Sequence, residues 1–255
     1  MSGAAEIGNT IKRMNIYPAA RRLFQLGSNA ASLITGRKTR VQLTKDMGID
    51  ANGVAAAAIL GTAALAAKAV MPRSRAWLLP AAALLPVAAF FRDPERKIPT
   101  DLDVVLAASD GRVLSIEKVT DPRAGGEEHL RIAVFLSVLD VHVNRAPVAG
   151  KVLAITQTVG GYAAAQTESA EHNVAQYTTI ESPHGNVVVA QRTGLIARRI
   201  VNRSRVGKRL EAGQRYGLIR FGSRTDVYLP IGKATPTVEV GDKVRGGETV
   251  IARWL

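Results

Sequence analysis

The sequence predicts a mostly β protein, a compact antiparallel β domain preceded by an α-helical region that associates with membrane. Three observations carry this. From residue 92 onward, short alternating apolar runs recur between turn residues. Residues 54–70 are almost wholly Ala, Leu, Ile and Val, and 76–91 are apolar again after Pro72-Arg73-Ser74-Arg75. Helix signals after residue 92 are weak, with one short piece expected near Ser137-Val138-Leu139-Asp140.

The chain divides into a basic arm (1–50), an apolar helical hairpin (51–91) and the β domain (92–255). In the arm, Lys12, Arg13, Arg21, Arg22, Arg37, Lys38, Arg40 and Lys45 outnumber Glu6, Asp46 and Asp50. A solvated arm, a surface helix on anionic lipid and a transit peptide all fit that composition. Each apolar run is a little short of the ~20 residues that span a bilayer comfortably. A buried core hairpin is one reading of them, and a membrane-seated hairpin is the favoured one. Arg73 and Arg75 at its turn would face the far side of the membrane if it spanned, against the positive-inside tendency. That favours a re-entrant or interfacial wedge.

In the β domain, Ser109-Asp110-Gly111 is a turn before a strand at 112–119. Further strands are expected at 129–136, 151–157, 174–181, 185–191, 195–201, 216–221 and 225–229. The tail 238–252 sets Gly241-Asp242 and Gly246-Gly247 between β-branched residues, as the capped hairpins of lipoyl- and biotinyl-type sandwiches do. Lys243 does not stand in the context of a carrier lysine.

Composition narrows the chemistry. The 255 residues include no cysteine, which excludes disulfides, thiolate catalysis and zinc–cysteine sites. His129, His142, His172 and His184 show no metal-ligand spacing, so no metal is expected. The net charge of +13 suits nucleic acid or anionic lipid, and the scarce aromatics offer no base-stacking platform. Nucleic acid is therefore not expected as a partner.

Gly222-Ser223 lies between two alternating apolar runs. It reads as an ordinary hairpin turn, or as a self-cleavage site. In the second reading the Ser223 hydroxyl attacks the Gly222 carbonyl in a strained turn, which glycine tolerates. The amide becomes an ester, elimination leaves dehydroalanine, and hydrolysis gives a pyruvoyl group and ammonia. Asp110 in its turn and His142 in Asp140-Val141-His142-Val143-Asn144-Arg145 complete an Asp–His–Ser set whose meeting in space sequence alone leaves open.

Several motifs together resemble the phosphatidylserine decarboxylase family in its short bacterial and archaeal form. They are Phe90-Phe91-Arg92-Asp93-Pro94-Glu95-Arg96, Asp110-Gly111-Arg112-Val113, the run from Phe135 to Pro147, Ala170-Glu171-His172-Asn173, the run from Gly194 to Val201, and Arg220-Phe221-Gly222-Ser223-Arg224. The resemblance begins near Phe90, follows the family's order and leaves out the arm.

The resemblance implies self-cleavage into a β chain (1–222) and an α chain (223–255) that stay together, with further dimerisation open. Ser223 becomes the covalent pyruvoyl cofactor, which condenses with the lipid amine as a Schiff base and takes up the electrons released with carbon dioxide. The family's aspartate maps onto Asp110, preceded here by Ser109, and its histidine onto His142. The long form's second histidine is replaced by Arg145. The cleavage base is thus His142 serving both steps, or Asp110 acting through water. His142 is the candidate acid that protonates the product carbon. By chemistry alone, Arg145 or Arg198 would hold the lipid phosphate, with Asn144 a further substrate contact. The partner implied is a phosphatidylserine-containing membrane, met peripherally or re-entrantly at the cytoplasmic face of the cell membrane. The alternatives are a pyruvoyl decarboxylase of another amino acid, and an idle β-sandwich that binds anionic membranes.

Overall fold

The computed structural model describes residues 39–195, 199–220 and 222–255. The basic arm before residue 39 lies outside them. The chain divides into two compact units, one ending at Ala88 and one formed by Ala89–Leu255 together with Lys45–Met47.

In the first unit, β1 (Arg40–Gln42) pairs antiparallel with β2 (Met47–Asp50). Asp50 caps the next helix, its carboxylate accepting from the Asn52 amide at 2.9 Å. That helix, α1 (Ala51–Val70), is a single run of 20 residues. It is long and apolar enough to cross a membrane. Ile59, Leu65 and Val70 are exposed on it, and only Gly53 and Ala64 are buried. The second apolar run does not form one matching limb. It is divided into α2 (Leu78–Ala82) and α3 (Leu84–Phe90), each with a proline inside, at Pro80 and Pro86. The turn between the runs is held by Lys68, whose ammonium reaches the Pro72 carbonyl at 3.0 Å and stands 5.6 Å above the Trp77 ring.

The regular elements of the second unit are almost all strands. It opens with β3 (Arg92–Pro94), β4 (Val104–Leu106), β5 (Gly111–Thr120) and β6 (Glu128–Leu136). There follow β7 (Val143–Arg145), β8 (Gly150–Thr158), β9 (Ala175–Ser182), β10 (Gly185–Arg192), β11 (Ile200–Asn202) and β12 (Arg209–Leu210). The chain ends with β13 (Arg215–Ile219), β14 (Ser223–Pro230), β15 (Ala234–Pro236), β16 (Lys243–Val244) and β17 (Val250–Trp254). An eight-stranded sheet has the order β12-β8-β9-β10-β14-β6-β5-β16. Two three-stranded sheets, β11-β13-β7 and β15-β17-β4, accompany it, and every strand pair in the three sheets is antiparallel.

Alternation along the strands sorts two faces. One face contributes Val113, Ile132, Val134, Val189, Val227 and Leu229 to the main core, together with Ile251 and Trp254 from the tail. The opposite face carries Tyr177, Ala190 and Tyr228, partly covered by the turn at Pro122–Ala124. Most expected strands stand within a residue or two of their predicted bounds. The strand expected at 195–201 is only β11, with 196–198 outside the described residues. The helical piece expected near residue 138 is a turn, closed by Asp140 N–H donating to the Ser137 carbonyl at 3.0 Å.

Candidate active site

The Gly222-Ser223 bond is not a hairpin turn. β13 pairs with β7 and β11, whereas β14 pairs with β6 and β10, so 220–222 carries the chain from one sheet to another. The segment 137–142 makes the complementary passage, from β6 to β7. Ser223 stands opposite Leu136, and the Ile219 amide donates to the His142 carbonyl at 3.3 Å. The two connections therefore run side by side between the same pair of sheets. One carries the Gly-Ser bond and the other ends on His142. The start of β5 is adjacent as well, since Arg112 and Arg224 both face Phe135 across β6. That places the Asp110 turn at the same end of the sheet.

Gly222 has φ +58°, a left-handed conformation that favours glycine. Its carbonyl oxygen lies against Gly194, where an added Cβ would stand 2.2 Å from that oxygen. Only glycine at 194 leaves the carbonyl its position. Ser223 is fully buried, and among the described residues its Oγ has no hydrogen-bond partner.

His142 is 2 % exposed. Its Nδ1 donates to the Asp140 carbonyl at 2.9 Å, since a carbonyl can only accept. Burial depresses its pKa to about 4, outweighing the Asp140 carbonyl and carboxylate, so the ring is neutral near pH 7. The proton is then on Nδ1 and the lone pair on Nε2, which is buried without a partner among the described residues. A hydroxyl donor and an imidazole acceptor thus both stand unsatisfied where the two connections run together.

The strap Phe90–Arg96 holds this arrangement, a role its sequence did not reveal. The Phe90 ring centroid lies 4.2 Å from that of His142. Arg92 donates to the Leu139 carbonyl and to the Ala89 carbonyl at 2.7 Å. Arg96 clasps Asp110, its Nη2 at 2.9 and 2.8 Å from the two carboxylate oxygens. In the sequence the stretch was legible only as a motif of charged residues directly after an apolar run. Gly194 was likewise legible only as part of a motif.

The expected Asp–His–Ser set is not a hydrogen-bonded relay in this chain. Asp110 accepts from Arg96 and from the Gly246 amide at 2.8 Å, and a backbone carbonyl fills the place of an aspartate at His142 Nδ1. Burial raises the pKa of Asp110 while Arg96 opposes it. The Asp110 turn still reaches β14, through Ser109 Oγ and Thr225 Oγ1 at 2.7 Å.

Arg145, expected among the phosphate contacts, is committed elsewhere. It is buried, donating to the Gly213 carbonyl at 3.0 Å, the Pro94 carbonyl at 3.0 Å and Asp93 at 3.3 Å. Asn144 is fully buried, its Oδ1 accepting from Gln191 at 2.7 Å while its Nδ2 has no partner among the described residues. Arg198 lies outside the described residues.

The opposite face of the sheet holds a buried ionic network. Asp226, fully buried, accepts from Arg192 at 2.6 Å and Arg224 at 2.5 Å. Burial alone would raise its pKa, but these two guanidinium groups hold it below the usual carboxylate value. Arg192 also donates to the hydroxyls of Tyr177 at 2.9 Å and Tyr228 at 2.8 Å. Arg131 and Arg224 converge on Glu171 at 2.8 and 2.7 Å. A groove of about 1000 Å³ opens here, lined by Arg131, Glu171 and Arg224. Because side chains alternate along β14, this groove lies across the sheet from Ser223, so its size does not mark the reactive bond.

Residues 85–252 match the family model for phosphatidylserine decarboxylase. The chain is similar to the phosphatidylserine decarboxylase proenzyme of Gluconacetobacter diazotrophicus, 48% identical over 76% of this chain and 88% of that one. The proenzyme of Gluconobacter oxydans is 50% identical over 64% of this chain and 75% of its own. That of Paraburkholderia xenovorans is 44% identical over 69% and 81%. The chain belongs to the phosphatidylserine decarboxylase family.

Proposed function

We propose that this chain is a proenzyme that cleaves itself between Gly222 and Ser223 and then converts phosphatidylserine to phosphatidylethanolamine. The observation that carries the reading is the pair of buried, partnerless groups, Ser223 Oγ and His142 Nε2, on neighbouring connections. A buried polar atom left unsatisfied in a native protein calls for an explanation, and a catalytic role is one. A hydroxyl that must give up a proton and a neutral imidazole that must take one are the two groups self-cleavage needs.

In this reading His142 Nε2 accepts the Ser223 proton as Oγ attacks the Gly222 carbonyl carbon. The peptide bond becomes an ester. Loss of the Ser223 α-proton then expels the Gly222 carboxylate and leaves dehydroalanine at position 223, and water converts this to a pyruvoyl group with release of ammonia. The site fits such a group. Residue 223 is the first of β14, which pairs with β6 on one side and β10 on the other, so the new terminus stays anchored after the bond is cut. When present, the pyruvoyl group supplies an electron sink for the pair left by the departing carboxylate. His142 then returns a proton to the product carbon. Its Asp140 bond fixes the ring's tautomer throughout. The Phe90 ring against it helps keep water away. Asp110 orders the adjacent turn through Arg96, and its role as a base through water is kept as the second route. Asn144 and Arg198 are the proposed headgroup contacts.

The exposed apolar helix α1 supports a membrane seat. We place the enzyme at the cytoplasmic face of the cell membrane, as two chains, residues 1–222 and 223–255, held together. A denaturing gel with a mass for the small chain tests the reading. That chain should hold 255 − 222 = 33 residues and carry no free amine at its terminus. An intact chain, or a small chain starting with free serine, would overturn it.

A further inference from the structure

We propose that the turn at 137–140, together with Leu195, is a docking surface for an anionic lipid bilayer, separate from α1. The proposal rests on the lipid-substrate reading above and adds where the bilayer meets the catalytic unit. Ser137 donates from its backbone amide and its Oγ to the Asp140 carboxylate at 2.8 and 2.6 Å, and Asp140 N–H closes the turn. Such a turn usually carries Gly, Pro, Asn or Asp at its centre. Here the central residues are Val138 and Leu139, 48% and 79% exposed. The turn is braced on both sides, so their exposure is set by its geometry. Leu195, 65% exposed, follows Gly194, which touches the Gly222 carbonyl from the other flank. Exposed apolar side chains therefore stand on both sides of the reactive connection.

The charge around them selects the occupant. Arg92 sits on the Leu139 carbonyl, and Arg199 is exposed where its carbonyl accepts from the Arg220 amide at 3.2 Å. The carboxylate of the turn, Asp140, is engaged by Ser137. Apolar tips beside guanidinium groups match the boundary of an anionic bilayer. A stable contact with a second copy of the chain buries on the order of 1,000 Å² or more, which three side chains do not supply.

The test uses the full chain, whose lack of cysteine lets a single label be placed. Leu139→Cys carries an environment-sensitive fluorophore, with Val240→Cys, at a residue 63% exposed in the tail, as the control. Val138→Cys replaces the first variant if it fails to fold. With vesicles of phosphatidylcholine and phosphatidylglycerol, the label at 139 should shift to the blue and be quenched by nitroxide on the acyl chains, and the label at 240 should not. A label at 139 that stays water-like while the protein sediments with vesicles overturns the proposal. So does a blue shift without vesicles that grows with protein concentration, which would indicate a second copy. Val138→Asp should lower turnover of vesicle phosphatidylserine by about tenfold, the factor that loss of one buried aliphatic side chain gives. It should leave turnover of a dispersed short-chain phosphatidylserine unchanged. An equal fall on both substrates, or on neither, overturns the proposal. Failure of the decarboxylase reading would show separately, as a wild-type chain that stays whole on a gel.

Discussion

Two buried polar groups on opposite faces of β14 are treated in opposite ways. On one face Asp226 is buried with two guanidinium groups on its carboxylate, and Arg192 bonds both that carboxylate and two tyrosine hydroxyls. Three residues earlier, on the other face, Ser223 is just as buried and its Oγ has no partner among the described residues. The chain can therefore satisfy polar groups in its interior, and at the Gly-Ser bond it does not. A hydroxyl whose proton is held by another acceptor is not free to pass it to His142. The contrast separates a region built to hold from one built to react.

The largest effect should come from Ser223→Ala. It removes the attacking oxygen, so the chain should remain whole and without decarboxylase activity. Because Oγ makes no hydrogen bond to a described residue, its removal should cost no stability and should relieve up to about 1–3 kcal/mol, the penalty of a buried unsatisfied hydroxyl. Urea denaturation beside the gel checks both, and a large stability loss would mean that the hydroxyl is structural after all.

His142→Ala should slow self-cleavage by about 10²–10⁴-fold, the usual worth of general acid–base assistance. Its depressed pKa adds a pH test. Between pH 6.5 and about 4 the unfolded chain binds the His142 proton and the folded chain does not. Stability should therefore fall as pH is lowered through that window, by about 1.4 kcal/mol per pH unit, and level off below it. The variant should lose that slope. The wild-type cleavage rate should hold from neutrality down to about pH 5 and drop toward 4. A rate that already drops near 6.5 would show that the ring is solvated rather than buried.

On the other face, Asp226→Ala leaves Arg192 and Arg224 without their shared carboxylate. Breaking a buried pair in this way costs about 3–5 kcal/mol. The urea midpoint should fall accordingly, while molecules that still fold cleave at a rate within a few-fold of wild type. Normal stability with lost cleavage would reverse the division of labour between the faces.

Much of the β domain was legible because its strands alternate on one buried face, as 129–136 and 225–229 do. Pairing partners were not. Gly222-Ser223 has the local look of a hairpin, and only the long-range choice of β7 for β13 and β6 for β14 turns it into a crossing between sheets. Ser223, His142 and Gly222 could be singled out from residue type and motif. The group on His142 Nδ1 could not, because it is a backbone carbonyl and every residue has one. Arg145 misled because a guanidinium suits phosphate and an internal carboxylate equally well, and only burial beside Asp93 decides between them. The strap Phe90–Arg96 acts through contacts distant in sequence, as Arg92 with Leu139 and Arg96 with Glu248 show, so its holding role leaves no trace in local patterning.

The smallest effect is set by a pair of glycines on either side of one carbonyl. At Gly194 an added Cβ would sit 2.2 Å from the Gly222 oxygen, so Gly194→Ala must push the attacked carbonyl aside. Misplacing a reacting group by about 1 Å can cost about 10²-fold in rate. Gly222→Ala meets no atom within 4 Å, and its cost is only that of a left-handed backbone at φ +58°, about 1–2 kcal/mol. Part of that cost is relieved when the bond is cut, since the new terminus frees the backbone of residue 222. The Gly222→Ala chain should therefore still cleave, within about tenfold of wild type, the equivalent of about 1.4 kcal/mol. Timed gels on freshly translated chains compare the two variants directly. If Gly222→Ala proved the more damaging, the reactive bond would depend on the bare backbone of residue 222 itself and not on the space that Gly194 leaves for its carbonyl.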